Sequence, residues 1–362
     1  MDDRELASAL AELVRKRSQE LAGVDFDFKP VKVDCSEKSR RIEVDVPFCC
    51  DEDFLAALEK DVSRFYLDQT GKKKKTRVYF SVSQRKVKLG TPALKNVRNI
   101  VAVGSGKGGV GKSATSANLA VALAMMGAKV GILDADVYGP SQPTVFGVES
   151  KDLAAVNKKI MPVTSDGVKI VSIGFMAKRD QPVIWRGAIV NKALEQLLFD
   201  ADWGDLDYLF IDLAPGTGDI QLTMAQKMPV TCALIVTTPQ DLALIDAEKA
   251  AAMFRKVNIP ILGVLENMSS FVCPHCGHVE SIFGSGAGER MAEKFGAPLL
   301  GKLPLNPEIR KAMDAGELRR LHEECPEIAG VFKMAATRLT MALATLGKDY
   351  SHPFSGIEVV KR

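Results

Sequence analysis

Apolar positions recur along the chain with two periods. From Ile100 onward, unbroken apolar runs alternate with helical patterns. NIVAV (99–103) precedes a helix from Ser113, and AKVGILD (128–134) precedes a long loop. VKIVSIGF (168–175) is followed by a helix after Gly187, YLFID (208–212) by one after Asp219, and TCALIVTT (231–238) by one from Asp241; IPILGVLEN (259–267) continues the series. Strands apolar on both faces and separated by helices predict an α/β fold: a mostly parallel sheet with helices on both faces. A final helix is expected at about 327–346, with Ile328, Val331, Phe332, Ala335, Leu339 and Leu343 on one stripe. Its polar face is not strongly basic, so packing on the core is expected rather than binding to a membrane surface.

The pattern differs before residue 91. A charged amphipathic start is followed by RIEVDVPF (41–48), which alternates as a strand, and then by a helix with Phe54, Leu55, Leu58, Val62 and Phe65 on one side. Gly71 closes that helix, KKKK (72–75) reads as a solvated loop, and TRVYFSVS (76–83) alternates again. The expected organisation is a small α+β domain over 1–90, a linker over 91–98 marked nearby by Gly90 and Pro92, a large domain over 99–350 and a tail over 351–362. No internal repeat is visible.

Composition narrows the class. Forty-six per cent hydrophobic and 26% charged residues suit a globular chain with a sizeable core, and 48 basic against 45 acidic residues leave only +3. Neither nucleic acid nor membrane is expected as a partner. The N-terminus lacks the apolar stretch of a secretory signal, so a cytoplasmic protein is expected. Seven cysteines then point to reduced thiols, some of them free to hold metal, rather than to a disulfide framework.

GKGGVGKS (106–113) fits the phosphate-loop spacing between a strand and a helix. Its glycines allow the backbone to wrap a phosphate chain, so Gly106, Lys107, Gly108, Gly109, Val110, Gly111, Lys112, Ser113 and Ala114 are candidate nucleotide contacts. Lys112 is placed to neutralise the β- and γ-phosphates, and the Ser113 hydroxyl to bind Mg²⁺. Asp212, ending YLFID, is the second magnesium candidate. In ILDADVYGPS, Asp134 is a third, through a metal-bound water, and Asp136 is placed to orient or deprotonate the attacking water. Asp219 in PGTGD is either a switch residue or a helix N-cap. Lys107 is a second lysine that the phosphate-loop spacing does not require.

Farther on, CPHCGH (273–278) carries Cys273 and Cys276 as a C-x-x-C, with His275 and His278 beside them. Two thiolates at this spacing are half of a tetrahedral set. His278 and another ligand, the same pair from a second subunit, or a redox dithiol role are the possible completions.

GKGGVGKS resembles the deviant Walker A motif of the MinD/ParA/Mrp group of phosphate-loop ATPases. That resemblance gives Lys107 a role: it would cross a dimer interface to the other subunit's nucleotide and act there as an arginine finger does. ENMSSFVCPHCGHVESIFGSGAGER, taken with GKGGVGKS, LDADVYGPS and DLAPGTGD, is similar to the Mrp/ApbC family of iron–sulfur carrier ATPases over about 97–345. The resemblance implies ATP and Mg²⁺, a homodimer, and a [4Fe-4S] cluster bridged by Cys273 and Cys276 of two subunits and delivered to recipient apoproteins. It also implies that Asn267 contacts adenine, and it places LGKLPLNPEIR (300–310) near the base. Two departures stand out. Ala214 replaces a proline of the family's D-L-P-P-G-T-G-D. Pro47-Phe48-Cys49 matches a P-x-C of the N-terminal domain found in many Mrp proteins, but the acidic turn expected before it is missing. Cys49 and Cys50 are therefore expected to be buried or inert, as are Cys35, Cys232 and Cys325. Two other readings remain. A spatial-organising ATPase of the MinD/ParA type does not explain CPHCG, and a zinc-stabilised nucleotide-dependent scaffold keeps the cysteine pair but changes the metal.

Overall fold

Asp2 opens the first helix by accepting the Glu5 N–H at 2.7 Å, while the Glu5 carboxylate returns to the Asp2 N–H at 3.1 Å. This reciprocal cap starts α1 (Asp3–Ala22), which Gly23 stops in the left-handed region at φ 62°. In the computed structural model the described residues are 2–28, 31–36, 39–88, 90–149, 154–156, 159–176 and 187–348. α1 buries Leu6, Leu10 and Val14, spaced by four, and α2 (Glu52–Thr70) buries Phe54, Leu58, Val62 and Tyr66 in the same way. Both helices cover a small sheet of β1 (Lys32–Asp34), β2 (Arg41–Val46) and β3 (Lys75–Phe80), ordered β1-β2-β3. β2 turns Ile42, Val44 and Val46 inward, runs antiparallel to β1 and parallel to β3. The lysine run is less free than a solvated loop, because Lys75 starts β3 and the Lys74 ammonium donates to the Cys35 and Ser36 carbonyls.

The larger sheet begins at β4 (Val97–Gly104), whose first two residues fall within the stretch expected as linker. Along the chain follow α3 (Lys112–Met125), β5 (Val130–Ala135), α4 (Gln142–Val145), a hairpin of β6 (Ala154–Val156) and β7 (Lys159–Met161), β8 (Val163–Ser165) and β9 (Val168–Ser172). Then come α5 (Gly187–Phe199), β10 (Leu206–Leu213), α6 (Asp219–Lys227), β11 (Cys232–Thr237), α7 (Asp241–Lys256) and β12 (Ile261–Glu266). A ribbon of β13 (Phe271–Val272) and β14 (Val279–Glu280) precedes α8 (Ala287–Phe295), β15 (Leu299–Lys302), α9 (Pro307–Ala315), α10 (Leu318–Glu324) and α11 (Pro326–Thr345). The strand order is β15-β12-β11-β4-β10-β5-β9-β8, parallel throughout except for β8 on β9.

Successive residues of each central strand serve opposite cores, which is why the runs read as apolar throughout. Val101, Val103 and Phe210 meet Leu119, Leu123, Phe332 and Leu339 on one face; Ile100, Ala102 and Ile211 meet Leu194, Phe254 and Met291 on the other. α11 is thus a core helix and not a membrane-facing one: it packs on α3 and β15, and its Met341 and Ala344 join the core of the N-terminal unit. Thr340 reinforces that junction, its hydroxyl lying 3.2 Å from the Cys49 nitrogen and 3.0 Å from the Cys49 carbonyl oxygen. Arg85 donates to the Leu346 carbonyl at 2.9 Å, holding the connection to the end of α11. Among the described residues no helix is long and apolar enough to cross a membrane. The tail over 351–362 and the expected domain end at 350 lie outside the described residues.

Candidate nucleotide site and cysteine hairpin

The chain order places β10 between β4 and β5, and β11 on the other side of β4. This is a topological switch point, where loops at the carboxyl ends of parallel strands part and leave a crevice. The loop Ser105–Gly111 leaves β4 there. Gly109 and Gly111 hold φ values of 83° and 79°, a region L side chains avoid. Gly106 is required for a different reason: a Cβ there would lie 1.9 Å from the Asp246 carbonyl carbon of α7. α3 then starts at Lys112 without a side-chain cap, so its first N–H groups are left for another acceptor, such as phosphate oxygens.

Lys112 and Asp212 form a buried ion pair at the base of the loop, and the Lys112 ammonium is 3.4 Å from the Ser113 hydroxyl. Asp134 and Asp212 occupy opposite register positions on β5 and β10. The Asp134 carboxylate accepts the Gln142 N–H and the Ser172 hydroxyl at 3.0 Å each and the Asp136 N–H at 3.2 Å. Burial, and then the neighbouring Asp212 charge, push the Asp134 carboxyl up to about 7. Asp136 is also buried, and its Oδ1 accepts the Tyr138 and Gly139 N–H groups at 3.1 Å each.

Lys107 is half-buried, and its ammonium pairs with no carboxylate among the described residues. Asn267 follows β12 and donates from Nδ2 to the Val110 carbonyl at 2.9 Å, which links it to the loop backbone itself. A Cβ at Gly111 would fall 2.1 Å from that Nδ2, so this glycine also makes room for the asparagine. Asp219 is not the helix cap. Gly218 holds that position, and exposed Asp219 is the first residue of α6, where its charge suits the positive end of the helix.

Met268, in the left-handed region at φ 58°, turns the chain from Asn267 into the ribbon that carries the thiols. The Cys273 N–H donates to the His278 carbonyl and the Gly277 N–H to the Cys273 carbonyl, both at 2.9 Å, so residues 273–278 form one tight turn. Cys273 is half-buried, and Cys276, His275 and His278 are exposed. The backbone N–H of His275, then that of Cys276 and the Cys276 thiol, hold the Cys273 thiol below its ordinary value. Cys49, Cys50 and Cys232 are buried, and burial pushes their thiols up, as inert cysteines require. Cys35 is buried too and shifted in the same direction, whereas Cys325 is half-buried and only precedes α11. Among the described residues no three His, Cys, Asp or Glu side chains form a metal-binding group.

No sequence motif marks Gln142, Ser116 or Ser172, which surround the carboxylates. The motif LDADVYGPS ends one residue short of Gln142. The polar residue between Ser141 and Pro143, at the start of a short helix, was the available signal.

The family model of NUBPL iron-transfer P-loop NTPases (ParA) matches residues 96–340. An iron–sulfur cluster carrier protein of Pseudomonas fragi is 50% identical over 264 residues, covering 72% of this chain and 92% of the relative. One of Haemophilus influenzae is 45% identical over 314 residues, 86% of this chain and 85% of the relative. Among solved structures, a nucleotide-binding protein of Archaeoglobus fulgidus in complex with ADP, with cobalt found in it, is 39% identical with a TM-score of 0.56 over 62% of this chain and 88% of that one. The chain therefore belongs to the NUBPL iron-transfer P-loop NTPases, the iron–sulfur carrier group its motifs resemble, and is a P-loop ATPase.

Proposed function

We propose that the chain is a homodimeric, cytoplasmic ATPase that holds a [4Fe-4S] cluster between the Cys273–Cys276 pairs of two copies and passes it to recipient apoproteins. One observation carries this reading. An exposed two-thiol turn, with Cys273 biased toward thiolate, begins six residues after Asn267, whose side chain is bonded to the phosphate loop. Two thiolates supply half of a four-thiolate cluster site, and a second copy supplies the other half. The exposed Val272, Val279 and Ile282 flank the thiols and give that contact an apolar border.

The oxygen donors Ser113, Asp134 and Asp212 suit magnesium, a hard cation that takes one or two carboxylates and keeps several waters. A buried Gln142 Oε1 beside them, with no partner among the described residues, fits a site built for a hydrated ion. Bound there, the cation would neutralise charge on the phosphates. The chain's own groups do the rest. Lys112 exchanges Asp212 for the β- and γ-phosphates, Asp136 orients water for attack on the γ-phosphorus, and Lys107 of one copy meets the charge developing on the nucleotide of the other. ATP and water give ADP and phosphate, and the change in subunit contact alters the hold on the cargo.

Anaerobic reconstitution with iron and sulfide tests the cluster assignment. About four of each per dimer, lost in a Cys273→Ala/Cys276→Ala variant, is the expected result. Zinc retained at the pair with no cluster formed would overturn it. Cluster transfer that runs equally fast with ATP and with a non-hydrolysable analogue would remove the coupling to hydrolysis.

A further inference from the structure

Gln142 lies at the centre of the candidate magnesium site, and no motif accounts for it. Its side chain is fully buried. Nε2 donates to Asp212 Oδ2 at 2.8 Å and to the Ser113 carbonyl at 3.1 Å, and it lies 3.2 Å from the Ser116 hydroxyl. The backbone N–H of the same residue donates to Asp134 Oδ2 at 3.0 Å. Gln142 therefore touches both strand-end carboxylates and the first turn of the phosphate-loop helix. The orientation of the amide is fixed by chemistry: a carboxylate and a carbonyl only accept, so the nitrogen must face them. The amide oxygen is then buried and meets no donor among the described residues. A buried acceptor with no donor is rare in a folded chain and asks for a ligand that brings one.

We propose that Gln142 is a positioning residue for the magnesium–nucleotide complex: Nε2 fixes Asp212 and the start of α3, and Oε1 accepts a hydrogen bond from a water of the hydrated cation. The two oxygens of Asp212 make the division of labour clear. Oδ1 is taken by Lys112 and Oδ2 by Gln142. When Lys112 turns to the phosphates, Oδ1 becomes free while Oδ2 stays held, so the carboxylate keeps its orientation as it exchanges partners. The proposal rests on the reading of Ser113 and Asp212 as cation ligands.

The test measures ATP affinity of the full chain by calorimetry, with magnesium and with EDTA, alongside thermal melting. Gln142→Met matches the side chain in length but offers no donor and only a weakly accepting sulfur. Its affinity in EDTA is expected to stay near wild type, while the gain in affinity caused by magnesium falls by about tenfold or more, the usual cost of losing a group that orients a metal ligand. A folded Gln142→Met protein that keeps the full gain overturns the proposal. If that variant does not fold, Gln142→Asn, which keeps the amide but shortens its reach to Asp212, is read by the same criterion. Asp212→Asn, run in parallel, separates the two failures. If it loses the gain while Gln142→Met keeps it, only the role of Gln142 falls; if it too keeps the gain, the ligand reading falls and the proposal with it.

Discussion

Asp134 shows at the level of one residue how the sheet sets the chemistry of the site. Parallel pairing puts it opposite Asp212, both are buried, and a single lysine ion-pairs with only one of them. The carboxyl, raised from 3.8 to about 7, is favoured by folding in its protonated form. Its contribution to stability is therefore complete below about pH 3.8, declines as pH rises and is gone above about pH 7. Asp134→Asn cannot ionise, so its melting temperature relative to wild type should climb between about pH 5 and pH 8, measured without added nucleotide or magnesium. A difference that stays constant over that range would show that Asp134 is already ionised at the lower pH. At this scale the phosphate loop, the two strand-end aspartates and the cysteine pair were legible, because each is a local spacing of residue types. Gln142 was not, since its side-chain partners come from positions 26 to 70 residues away in sequence.

Among the elements, α11 does the most to join the molecule together. One stripe closes the core over α3, and Met341, Thr340 and Ala344 reach the N-terminal unit. Replacing Thr340 with valine keeps the shape but strips hydrogen-bond partners from the buried Cys49 N–H and C=O, at a cost of about 1–3 kcal/mol. Urea unfolding followed by circular dichroism should show that loss, and an unchanged midpoint would assign the junction to apolar contact alone. The inner strands and α11 could be read from sequence because burial on both faces, or on one helical stripe, leaves a periodic record. β15 has only four residues, and β13 and β14 have two each, too short for any period to register. The role of Asp219 stayed open between switch residue and cap for a related reason: glycine and aspartate both suit the start of a helix, and only the backbone φ and ψ of Gly218 decide between them.

For the whole molecule, the central question is whether one chain holds a complete catalytic site. Lys107 stands at the mouth of the loop with no carboxylate partner among the described residues, and the exposed Tyr138, Leu242 and Ile245 lie on the loop after β5 and the first turns of α7. If Lys107 acts across a two-fold axis, Lys107→Ala and Asp136→Asn proteins, each inactive alone, should recover hydrolysis when mixed. Random pairing leaves one intact site in half of the dimers, or about a quarter of wild-type activity. A mixture as inactive as its components would place Lys107 in its own subunit's site. The thiol ribbon has a further consequence at this scale. It is held by the pairs Phe271 with Glu280 and Val272 with Val279, and a ribbon this short is marginal in isolation. Its amides should open first and exchange with solvent faster than those of β4 and β10, as hydrogen exchange followed by mass spectrometry would show. On the proposed function, cargo bound there would be tied to a segment that can fray and re-form many times within a single lifetime of the folded core.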